Sequence, residues 1–282
     1  MADTKDSNGA HAAFDTVRDG ARQLEPDRYL AALLSPRAAR HDAIALAAFI
    51  GEINKIAFVV SEPHLAEIRL QWWRDAVIGS GVTGNLVADA INPILSRNVA
   101  FREQIGIWLD AVVPTFYTAA PETEDAFLND IDIREGVPFQ LTAQIYGAPF
   151  TPELEHAAKW AGRAYGLARL GLTLAQSLVR GRMPLPEAIG ANIVSNDETT
   201  LRDQQLIKDF IARHAREAFG QARLAFRHAS APQRASLLPL ALVEPYLRAL
   251  EKQDHDLTRD IGDVAPMVRV WRIWRAHVTG RL

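Results

Sequence analysis

Apolar residues in this chain recur every three or four positions, segment after segment, and nowhere settle into the two-residue alternation of a half-buried strand. Ser35-Pro36 is a helix start signal, with serine as N-cap and proline at the first helical position. From there to Val60, residues Ile44, Ala45, Ala48, Phe49, Ile53 and Ile56 keep helical spacing. Ser61-Glu62-Pro63 interrupts, and a second helix places Leu65, Ile68, Trp72 and Ala76 on one stripe as far as Gly79. Further helices are expected over 86–96 and 101–117, kinked or shortened by Pro93 and Pro114. Others follow over 124–146, 152–179, 199–228, 235–253 and 266–278. No alternating segments joined by hairpin turns occur, so the expected fold class is all-α. Residues 25–282 are read as a single helical domain. Residues 1–24 carry Asp3, Lys5, Asp6, Asp15, Arg18 and Asp19 without a continuous apolar stretch, and are expected to be a polar, disordered leader rather than a targeting peptide.

Composition narrows the function classes. With 48% hydrophobic and 23% charged residues among 282, the chain can bury a substantial core. A net charge of −3 and a pI near 6.2 give no electrostatic basis for nucleic-acid binding. The absence of cysteine removes disulfides, thiolate metal sites and thiol nucleophiles, and suits a reducing compartment. No run approaches the ~20 apolar residues of a spanning helix. A cytoplasmic protein, at most peripheral to the inner face of a membrane, is therefore expected. His64, His156, His214 and His255 have no metal-ligand spacing, and no nucleophile elbow, P-loop or dinucleotide glycine pattern is present.

Several motifs in order carry a family resemblance. Asp27-Arg28-Tyr29 is followed by Ala45-Leu46-Ala47-Ala48-Phe49, then by Trp72-Trp73-Arg74, and Gly181-Arg182-Met183-Pro184-Leu185-Pro186 closes a long helix. In this order and spacing the chain resembles the squalene/phytoene synthase family, over nearly everything from Asp27 to Leu282. It is most similar to the divergent branch that includes the mitochondrial complex I assembly factor of that family. The resemblance implies an isoprenoid synthase (terpenoid synthase) fold around a central hydrophobic cavity. It also implies head-to-head coupling of prenyl diphosphates, with Mg²⁺ held by two aspartate motifs on facing helices. Such ions stabilise the departing diphosphate and need hard oxygen ligands.

This chain departs from that pattern at the positions the chemistry needs. The first aspartate motif falls on Asn54-Lys55-Ile56-Ala57-Phe58, where Asn54, Lys55 and Phe58 supply an amide, a cation and a phenyl ring. The second falls on Leu174-Ala175-Gln176-Ser177-Leu178, with Leu174 and Leu178 where carboxylates belong. Asp27 stands where the family has serine, and an acid there repels phosphate. Glu52, Gln71, Arg74, Arg180 and Arg182 are the candidates for a residual pocket, and no metal ligand set is assigned. Glu52 reads either as part of a rebuilt cation site, with Glu62 and Glu67, or as a local partner of Lys55. Asp130, Asp132 and Glu135 read either as cavity-lining acids or as a solvated helix surface. Gln71 and Arg74 line either a polar cavity end or the wet face of their helix. Arg180 and Arg182 either bind an oxyanion or cap the preceding helix.

The last helix has no acidic residue from Pro266 to Leu282. Met267, Trp271, Trp274 and Val278 share one stripe, with Arg269, Arg272 and Arg275 on another side. That pattern suits either a membrane surface or docking onto the helical core. The expectation is thus a catalytically degenerate family member needing no cofactor, with an apolar isoprenoid ligand, a respiratory-complex partner or a peripheral membrane contact through 266–282. The alternative is an active prenyltransferase of the squalene/phytoene type, with a rebuilt Mg²⁺ site.

Overall fold

A computed structural model describes residues 3–79, 81–97, 99–194 and 201–282. The chain is 78% helical, with no strand among the described residues, as the periodicity requires. It divides into two compact units, Met1–Leu109 and Asp110–Leu282.

The first unit opens with α1 (Asp3–Leu24), α2 (Pro26–Leu33) and α3 (Arg40–Val59). It continues through α4 (Pro63–Ile78), α5 (Leu86–Leu95) and the start of α6 (Val99–Val112). Where a polar leader was expected, Asp3–Leu24 forms the helix α1. α1 lies along α3, burying Val17 and Ala21 and stacking Phe14 on His41 at 4.2 Å. Its polar residues are distributed around a few small apolar ones, and that stripe suffices for docking.

α3 is the axis of this unit. Ala43 to Ile50 are all buried, together with Ile53 and Ile56. Phe49 meets Trp73 of α4 edge-on at 5.5 Å and Trp108 of α6 at 5.8 Å. Ser35 does not cap the helix after it. Its hydroxyl donates at 2.7 Å to the Ala32 carbonyl, which also accepts from the Ser35 backbone N–H at 3.1 Å, so Ser35 closes the end of α2. Pro36 instead precedes a short 3₁₀ turn, Arg37–Ala39, that leads into α3. On α4 the buried stripe is Ala66, Leu70, Trp73 and Val77, whereas Leu65, Ile68 and Trp72 face solvent. Two interleaved apolar stripes compete on this helix, and the one carrying Trp73 wins because it fits against Phe49.

The second unit holds α7 (Glu124–Ile145), α8 (Pro152–Leu178), α9 (Glu187–Val194) and α10 (Leu201–His228). α11 (Ala231–Ser236), α12 (Val243–Leu250) and α13 (Pro266–Thr279) follow. α7, α8 and α10 form its centre. Thr123 and Thr151 cap α7 and α8 by accepting from Ala126 N at 3.1 Å and Leu154 N at 3.2 Å. α7 and α8 touch backbone to backbone: a Cβ on Gly162 would lie 2.2 Å from the Gly136 nitrogen.

The expected helix 101–117 ends at Val112, where Pro114 turns the chain into a 3₁₀ segment. The expected helix 235–253 is broken into α11, a 3₁₀ segment Leu238–Leu242 and α12, because Pro239 cannot continue an α-helical ladder. The expected start near Thr199 lies outside the described residues.

Candidate functional site

In the first unit, Pro26 fixes the start of α2 and leaves Glu25 as its N-cap residue, only 1% exposed. A carboxylate so deeply buried requires compensation. Arg28 Nε lies 3.4 Å from Glu25 Oε2, and Asn54 Nδ2 donates to Glu25 Oε1 at 3.2 Å. Asn54, at the head of the first motif position, is therefore turned with its amide protons toward α2. Lys55 lies 3.3 Å from Glu52, a half-exposed pair one turn apart on α3. Phe58, at the far end of the motif, is 37% exposed. Asp27 is 2% exposed and sits inside the α2 packing, so it offers no carboxylate to solvent.

The polar residues of α4 lie on a side of the helix that is not buried. Gln71 donates to Asp75 at 2.7 Å and both are exposed; Arg74 is half-buried beside them. Trp72 packs edge-on against Trp73 at 5.1 Å.

In the second unit the reading of Asp132 as solvated surface is overturned. It is 8% exposed and accepts two hydrogen bonds from Arg163 of α8, at 2.7 and 2.6 Å, with Lys159 3.4 Å away. The same guanidinium lies 5.0 Å from the Trp160 ring centroid. The close approach at Gly136 and Gly162 brings α7 and α8 near enough for this bidentate contact. Asp130 instead pairs with Arg134 at 2.7 Å, and burial raises its carboxyl above the usual aspartate value, opposed by Arg134. The two aspartates, two residues apart, serve different partners.

Leu174 is fully buried and Leu178 half-buried, so the second motif position is apolar packing. After Leu178 the chain ends the helix in a Schellman arrangement. Arg182 N donates to Ser177 O at 3.1 Å and Gly181 N to Leu178 O at 2.9 Å, with Gly181 at φ +67°. Arg180 Nη1 donates to the Gln176 carbonyl at 3.1 Å, which is the capping alternative. Arg182 is buried, and desolvation followed by the nearby Arg180 charge lowers its pKa from the ordinary arginine value.

The histidines serve other ends. His156 accepts from Trp160 Nε1 at 2.9 Å and His214 lies 3.1 Å from Glu124. His255 is buried against Gly262. Among the described residues no three acidic or histidine side chains converge. Sequence reasoning missed Glu25, since a glutamate ahead of a proline carries no distinguishing signal. It also missed the groove of about 450 Å³ lined by Ile189, Leu206, Phe210 and Arg213, because α9 was not anticipated.

Magnesium needs several oxygen ligands in a near-octahedral set. The first motif presents an amide whose protons face Glu25 and an ammonium held by Glu52; the second presents leucines. At the positions that the family resemblance assigns to the two motifs, these side chains do not offer the oxygen ligands of a magnesium–diphosphate centre.

Among solved structures, this chain is similar to the squalene synthase HpnC from Alicyclobacillus acidocaldarius. The match has a TM-score of 0.67 and 16% identity, and covers 86% of this chain and 94% of that one. It is also similar to a dehydrosqualene synthase solved in complex with ligand, with a TM-score of 0.76, 14% identity, and 96% and 98% of the two chains covered. At these identities the likeness shows the shared fold. No curated protein matches. The sequence profile of squalene/phytoene synthases matches residues 21–281, and the chain belongs to the squalene/phytoene synthase family.

Proposed function

We propose that this chain is a non-catalytic member of its family, using the inherited helical scaffold to hold an apolar isoprenoid or a protein partner. One observation carries the proposal: Asn54 donates its amide to the buried carboxylate of Glu25, so the first motif position is built into the packing of α2 on α3. The engagement of Asp132 with Arg163, and of Glu52 with Lys55, supports it, because a rebuilt cation site would draw on those acids. A role in assembling respiratory complex I is the physiological form that the family resemblance suggests.

The test is a thermal-shift titration with Mg²⁺ and a non-hydrolysable prenyl diphosphate, together and separately. A ligand that binds only the folded protein raises its apparent stability by mass action. The proposal expects no joint stabilisation, with or without a shift from an uncharged polyisoprenoid. A stabilisation that requires Mg²⁺ and diphosphate together overturns it in favour of an active prenyltransferase. For the assembly role, deletion should lower complex I activity and leave isoprenoid levels unchanged.

A further inference from the structure

α13 is built inside out. The side buried against the Leu238–Leu242 segment carries Arg269, Ile273 and Ala276. Arg269, 8% exposed, is held by Asp263 at 2.6 Å and by the Tyr246 hydroxyl at 3.3 Å. The residues at i, i+4, i+7 and i+11 on the opposite side are Met267, Trp271, Trp274 and Val278, exposed by 77%, 55%, 45% and 60%. Within its own unit α13 therefore packs by the opposite side, and not by this stripe as one of the two alternatives open from sequence has it. The stripe runs for ~16 Å along the helix. The two indoles sit side by side, ring centroids 5.3 Å apart.

Charge identifies what would cover it. No acidic residue occurs from Pro266 to Leu282. Arg272 and Arg275 lie along one flank of the stripe and Arg281 follows the helix end. Arg248 adds to the same field: the Arg272 guanidinium, desolvated and facing Arg275 and Arg248, has a depressed pKa relieved only by Glu244. Exposed tryptophans backed by arginines match the boundary between acyl chains and anionic headgroups, where an indole has one apolar and one wet side. No described helix is long and apolar enough to cross a membrane, so contact would be by lying in the surface plane.

We propose that α13 docks this protein on the surface of an anionic lipid bilayer, with the Met267–Trp271–Trp274–Val278 stripe in the acyl boundary and Arg272, Arg275 and Arg281 on the headgroups. The inference stands on α13 alone and holds whether or not the chain is catalytic.

The test is co-sedimentation of the full chain with phosphatidylcholine vesicles that either contain or lack phosphatidylglycerol. Binding should require the anionic lipid and weaken with salt. Arg275→Gln and Arg281→Gln should each lower the partition coefficient about fivefold. Trp271→Ala/Trp274→Ala should lower it at least roughly tenfold, given the indole area left exposed. Trp72→Ala, an exposed indole on α4, should leave it unchanged and controls for general stickiness. Equal binding to neutral vesicles, or no binding to either, overturns the proposal. So does a concentration-dependent dimer lost in the double tryptophan variant, which would assign the stripe to a second copy. Unaltered circular dichroism of the variants shows that the helix remains folded.

Discussion

Asn54→Asp would supply the residue type that the family resemblance implies at the head of the first motif, and in this chain that change should be destabilising. The Asn54 amide donates to Glu25 at 3.2 Å, and Glu25 is 1% exposed. Aspartate removes a donor to a buried carboxylate, a hydrogen bond worth about 1.5–3 kcal/mol. It also sets a second negative charge ~3 Å from the first, a repulsion of roughly 5 kcal/mol at an effective dielectric near 20. Arg28 offsets part of this. A net loss of about 3–5 kcal/mol at pH 7.5 is expected. Urea unfolding midpoints at that pH, with and without millimolar Mg²⁺, measure this directly. A variant as stable as its parent at pH 7.5, or one whose stability Mg²⁺ restores, would refute the claim that Asn54 is locked into the packing of α2 on α3.

Other outcomes follow from the same coordinates. Gly162→Ala would place a methyl 2.2 Å from the Gly136 nitrogen, and since backbone cannot rotate away it should cost about 3 kcal/mol or more in thermal unfolding. Gly220→Ala, mid-α10 with nothing within 4 Å, should instead stabilise by about 0.5–1 kcal/mol. Asp132→Asn should leave the largely buried Arg163 guanidinium without its carboxylate and lose about 3 kcal/mol, and Arg163→Met in the same chain should recover part of it. His214 and His255 are held below the ordinary histidine value, chiefly by burial. The unfolded chain therefore binds more protons just below pH ~6.5, so stability is full above that pH and falls as pH drops through it. Melting temperatures from pH 7.5 to 5.5 should fall more for the native chain than for His214→Gln/His255→Gln.

The helical class was legible because periodicity needs only local information, whereas the one cap read from sequence, Ser35, instead turns its hydroxyl back onto the Ala32 carbonyl. Which stripe of a helix faces inward was less legible. α4 carries two apolar stripes, and only its fit against Phe49 selects Trp73 over Trp72. α13 reverses the usual rule, placing Arg269 inside because Asp263 and Tyr246 are there to meet it. The contact between Glu25 and Asn54 joins residues 29 apart, and no spacing rule links an acid before a proline to an amide in mid-helix. The non-carboxylate residues at the positions that the resemblance assigns to the aspartate motifs are a matter of residue type alone. That Asp132 is buried could not be, since it depends on how closely Gly136 and Gly162 let two helices approach.

The most direct trial of the non-catalytic proposal is release of diphosphate from farnesyl or geranylgeranyl diphosphate by the purified full chain with Mg²⁺. The account expects no release above a protein-free control. Mg²⁺-dependent release accompanied by a head-to-head coupled hydrocarbon would contradict it.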